Sequence, residues 1–112
     1  MKNKIKEEFL KNGYTSLEKI IGLKEVREIR EIYDMILNDR ELTLGLRSDL
    51  SGVEQTKEEV EKITQIMRPS LVVPQLSKTT TYQKGLSWAK FLLGDDMEMD
   101  FDMLINKAPF TD

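Results

Sequence analysis

The sequence predicts a small α+β domain on three patterns. Leu23, Val26, Ile29, Ile32, Tyr33, Ile36 and Leu37 recur every three to four residues, the spacing that gathers side chains on one helix face. Tyr82, Leu86, Ala89 and Leu93 repeat that rhythm behind a threonine cluster. Met97, Met99, Phe101, Met103 and Ile105 instead alternate with Glu98, Asp100, Asp102, Leu104 and Asn106, which is the period of a strand.

The elements follow in order. Ile5, Phe9 and Leu10 mark a short amphipathic helix that Asn12-Gly13 ends, and an extended piece, Tyr14 to Leu17, comes next. The second helix covers about four turns from Leu23, with Arg27–Glu31 and Arg30–Asp34 spaced i, i+4 on its solvated face. From Asp39 to Lys62 the periodicity is lost. Turn residues in Arg47 to Val53 and the almost wholly polar Lys57 to Lys62 suggest a long surface excursion, of a length that suits a lid over substrate. Ile63 to Met67 reads as a short strand ended by Pro69, followed by an irregular Leu71 to Leu76. Thr79 to Leu93 is the third helix, capped by threonine. The final strand, 97–105, is expected to turn its apolar row to the core and its carboxylates to water, with methionine as flexible core filling.

Composition mainly excludes. The 112 residues suffice for one domain, 1–112, and not for two. There is no Cys and no His, so disulfides, thiolate nucleophiles, zinc ribbons, iron–sulfur clusters and imidazole ligands are ruled out within this sequence. Lys and Arg number 17 against 20 Asp and Glu, and no basic stripe stands out, so nucleic acid is not an expected partner. The lysine-rich N-terminus lacks an apolar signal core and no apolar run reaches about 18 residues; no membrane association and a cytoplasmic location are expected. The phosphate-loop, dinucleotide-turn and nucleophile-elbow motifs are absent. Asp96, Glu98, Asp100 and Asp102 have calcium-loop spacing, but Phe101 stands where glycine is required and Lys107 where the bidentate glutamate belongs. Nothing in the sequence buries Glu58 or Glu59 for acid catalysis.

An ordered series of segments carries a resemblance. Phe9-Leu-Lys-Asn-Gly-Tyr14, Ile29 to Asp34, Arg47-Ser-Asp-Leu50, Ile63-Thr-Gln-Ile-Met67, Leu92-Leu-Gly-Asp-Asp96 and Met103 to Pro109 follow one another over nearly the whole chain. In order and spacing they resemble the front part of the phytanoyl-CoA dioxygenase family, Fe(II)- and 2-oxoglutarate-dependent oxygenases. The resemblance implies helices packed on the N-terminal strands of an incomplete double-stranded β-helix, a jelly-roll-like, cupin-like barrel. It implies a full-length enzyme that hydroxylates a small organic or acyl substrate, and it implies that Gln65, where the family also uses Lys, and Met103 line the 2-oxoglutarate pocket. The family's iron ligands, a His-x-Asp motif and a later His, have no counterpart in a sequence without His. The chain by itself is therefore expected to be inactive, with no catalytic or metal-binding residue of its own. It is also expected to self-associate through strand 97–105. The alternative is a non-catalytic binding or oligomerisation module built on the same fold.

Overall fold

The computed structural model describes residues 2–50 and 61–109. Helix α1, Lys2–Asn12, ends where Gly13 takes a positive φ of 82° and returns its N–H to the Phe9 carbonyl at 2.8 Å, a left-handed stop that glycine adopts without strain. Its apolar stripe is only partly used: Ile5 and Phe9 are half-buried and Leu10 stays exposed. Helix α2, Leu23–Asn38, begins with the Glu25 carboxylate accepting the Gly22 N–H at 3.1 Å. Only the second half of its periodic row reaches the core: Ile36 is fully buried and Ile32, Tyr33 and Leu37 pack around it, whereas Leu23 lies in solvent.

The expected excursion after Asp39 is shorter than its composition suggests. Turns occupy residues 40–46, and strand β1, Arg47–Asp49, then joins the sheet. Arg47, Ser48 and Asp49 pair antiparallel with Ile66, Gln65 and Thr64 of strand β2, Ile63–Met67. Turn-forming Ser and Asp enter a strand here because Asp49 does turn work from within it, its carboxylate accepting the N–H groups of Lys62 and Ile63 at 3.0 and 3.2 Å. Residues 51–60, which hold the expected lid together with Glu58 and Glu59, lie outside the described residues.

The segment expected to be irregular is helical. Pro69–Val72 forms α3 and Pro74–Lys78 a 3-10 turn, each opened by a proline whose missing N–H costs nothing at a first helical position. Helix α4, Thr80–Leu93, is capped as expected, with Thr79 Oγ1 accepting the Tyr82 N–H at 3.2 Å, and stops at Gly94 with φ 124°.

The last strand differs most from expectation. β3 spans Met103–Lys107, not 97–105, and residues 97–102 are irregular. β3 pairs antiparallel with β2 from Ile63↔Lys107 to Met67↔Met103, so it is as long as its partner strand and no longer. Just before it, Asp102 turns away: its carbonyl accepts from Arg68 N–H, and its carboxylate accepts from the Ser70 N–H and hydroxyl at 3.2 and 2.9 Å. The faces are also reversed. Leu104 from the mixed row is 7% exposed and completes the core with Ile36, Ile66 and Val73, while Met103 and Ile105 from the apolar row are 42% and 55% exposed. The result is an α+β arrangement, a three-stranded antiparallel sheet in the order β1-β2-β3 with helices against one of its faces. No described helix is long and apolar enough to cross a membrane.

Candidate functional site

Alternation along β2 separates two environments. Thr64 and Ile66 are buried beneath the helices, whereas Ile63, Gln65 and Met67 are half-buried on the other face. The register brings Ile105 opposite Gln65 and Met103 opposite Met67, so Gln65 and Met103 lie on the same sheet face, one diagonal step apart. Gln65 Nε2 approaches Met67 Sδ at 2.9 Å. The two residues expected at a co-substrate pocket therefore share one patch, made of Ile63, Gln65, Met67, Met103 and Ile105. Its chemistry is that of a soft apolar wall around a single amide, whose oxygen stays available to accept and whose nitrogen gives up only a weak sulfur contact to donate elsewhere. The acidic row that was to be the wet side of this strand does not line the patch. Asp100 is exposed ahead of the strand, and Asp102 caps α3.

The helix-facing side carries a charged group that residue types alone do not reveal. Arg47 Nε lies 2.9 and 2.7 Å from the two Glu61 carboxylate oxygens, and Arg47 Nη2 donates both to Glu61 and, at 2.7 Å, to the Leu37 carbonyl. Thr43 Oγ1 accepts from Arg47 Nη1 at 3.2 Å, and the Thr64 hydroxyl donates to Glu61. The Arg47 hydrogen bonds, together with its charge, hold the Glu61 carboxyl below the ordinary carboxylate range against the opposing effect of burial. This network fastens β1 and the start of β2 to the end of α2. Because Arg47 and Glu61 stand 14 residues apart on separate segments and meet only through the tertiary fold, no local periodicity pairs them.

Tyr33, from α2, donates its hydroxyl to Asn106 Oδ1 at 2.6 Å and so ties the helix to β3; burial, with Asp34 nearby, pushes its pKa up. An iron centre does not fit these residues. The sequence supplies no imidazole, and among the described residues no three Asp or Glu side chains gather closely enough to hold a metal ion. No protein-family profile, no curated protein and no solved structure matches this chain.

Proposed function

We propose that these residues form the front part of an Fe(II)/2-oxoglutarate-dependent dioxygenase of the phytanoyl-CoA dioxygenase type, acting on a small organic or acyl substrate. In that reading the three-stranded sheet is one part of a jelly-roll-like barrel, with α2 and α4 outside and the patch around Gln65 and Met103 facing inward. The observation that carries the reading is the strand register. It brings the two positions that the family resemblance assigns to the co-substrate together on the sheet face that the helices leave uncovered. Gln65 would donate its amide to a 2-oxoglutarate carboxylate, and Met103 would shape the apolar wall beside it. Iron and its ligands would have to come from residues other than these, and no step of catalysis is assigned to this chain. The alternative, a binding or oligomerisation module without chemistry, rests on the same uncovered face.

The gene sequence downstream of the codon for Asp112 separates the two. An open frame reaching a His-x-Asp motif supports the enzyme; its absence supports the module. On a gene product that includes such a motif, Gln65→Ala removes a hydrogen bond to a charged group, worth roughly 1.5–3 kcal/mol, and should raise KM for 2-oxoglutarate about ten- to a hundredfold. Met103→Ala should raise it less, and Asp100→Ala should leave it unchanged. Equal damage from Asp100→Ala, a position outside the strand, would overturn the assignment of 2-oxoglutarate binding to the Gln65 patch. The 112-residue chain alone, titrated anaerobically with Co(II) in place of Fe(II), should show no stoichiometric site tighter than roughly 10 μM, an affinity that needs several organised ligands.

A further inference from the structure

A cleft of about 370 Å³ lies between α2, the start of α4 and β3, and Met103 and Ile105 of the Gln65 patch form part of its wall. Ile29, Ile36, Leu76 and Leu104 make it apolar, and its volume lies in the range of small-molecule sites. Thr81 lines the same cleft, and its hydroxyl oxygen is buried with no hydrogen-bond partner in the protein. A buried hydroxyl in that state costs free energy until something that enters the cleft satisfies it. Tyr33 borders the cleft as well; its hydroxyl proton is committed to Asn106 and its oxygen can still accept.

The surrounding charge narrows the ligand further. The N-terminus of α4 already has an anion beside it, since Glu28 accepts the Thr80 N–H at 3.3 Å, and Asp102 forms part of the cleft wall. A second anion would be repelled. A cation finds both Asp102 oxygens already accepting from Ser70. We propose that this cleft binds a small uncharged molecule with an apolar body and one hydroxyl-type group, the body lying against Ile29, Leu76 and Ile105 and the polar group meeting the Thr81 hydroxyl. The cleft shares Met103 and Ile105 with the patch around Gln65, but the proposal rests on the Thr81 hydroxyl and not on Gln65, so it does not depend on whether that patch serves a dioxygenase.

The test is a titration of the full chain by amide-resolved nuclear magnetic resonance, with benzyl alcohol, toluene and benzoate as probes. Benzyl alcohol should shift resonances of residues 29–36 and 76–82 at saturable concentrations, and benzoate should bind more weakly. Thr81→Val should weaken benzyl alcohol about fivefold, the effect of one neutral hydrogen bond, and leave toluene unchanged. Without any probe, Thr81→Val should melt at the same temperature as the parent or higher, because it removes an unsatisfied group at nearly constant shape. Leu76→Trp, which fills the cleft, should abolish both probes. Equal affinity of benzyl alcohol for the parent and Thr81→Val would overturn the proposal, as would shifts scattered over the surface. A lower melting temperature for Thr81→Val with no probe bound by the parent would do the same, because the hydroxyl would then hold a structural water.

Discussion

At the scale of single residues, the group that decides most is the ion pair of Arg47 and Glu61, with both side chains only 7% exposed. A buried pair of this kind contributes little net stability compared with an apolar replacement, but removing one partner leaves an unpaired charge and costs about 3–5 kcal/mol. Glu61→Gln should therefore lower unfolding free energy by roughly that amount, less whatever hydrogen bonding the amide retains. The pH dependence has a defined sign. Since the folded-state pKa of Glu61 is depressed by Arg47, its stabilisation is complete above the unfolded-state value, about 4.3, and is lost as pH falls through the folded value. Urea unfolding at stepped pH should show the parent losing stability below about pH 4.5, with a flatter acid limb in Glu61→Gln. Parallel acid limbs would mean that Glu61 does not titrate with folding. Asp102 has a comparable local role, because it satisfies the opening N–H and the hydroxyl of Ser70 from a distant part of the chain. Asp102→Ala should cost about 1–2 kcal/mol, the loss of a helix cap, and hydrogen exchange should speed up at Ser70 and Leu71 before it does in β2.

At the scale of elements, what was legible is what depends on local periodicity and punctuation. Helix α2 and helix α4 stand within a residue of their expected ends, as does β2, because Gly22, Thr79, Gly94 and Pro69 mark boundaries by backbone chemistry that no tertiary contact has to supply. β1 was hidden because Arg47-Ser-Asp49 is strand only by pairing with β2, and its Ser and Asp advertise a turn. β3 was misread in extent and in face for a related reason. Alternation fixes which residues share a face, not which face meets the helices, and the five apolar positions Met97, Met99, Phe101, Met103 and Ile105 look like core until Leu104 is seen against Ile36 and Ile66. Gln65 and Met103 share a face through the β2–β3 register, which alternation within either strand alone does not determine, and that face is the uncovered one. The reversal has a direct consequence. Leu104→Ala opens a hole in a four-residue buried cluster and should cost about 2–4 kcal/mol, whereas Ile105→Ala, one residue on, should cost less than about 1 kcal/mol. Chemical denaturation of the two variants measures the difference, and equal costs would restore the original face assignment.

At the scale of the whole molecule, surface outweighs interior. The accessible area is 8703 Å², against about 6300 Å² for a compact monomer of this mass, and the radius of gyration is 16.4 Å against about 13 Å for a chain of this length. Among the described residues the buried apolar side chains are Ile36, Ile66, Val73, Leu104 and Pro69. Met99, Phe101, Met103 and Ile105 lie exposed along the approach to and length of β3, which is also an edge strand whose outer N–H and C=O groups no described strand pairs. An apolar face beside an open hydrogen-bonding edge is a template for another strand. The 112-residue chain in isolation should therefore self-associate, and the association should depend on concentration. Ile105→Lys tests this most cleanly, because Ile105 is 55% exposed and pairs with Gln65 on the uncovered face, so a lysine there puts a charge on the contact surface without entering the core. Sedimentation velocity should show the parent shifting to larger species as concentration rises, and Ile105→Lys staying monomeric with a nearly unchanged melting temperature. Leu104→Lys is the contrasting control: its side chain points under the helices, and the variant should unfold. A parent that stays monomeric at every concentration would show that this small core and its open face are sufficient by themselves.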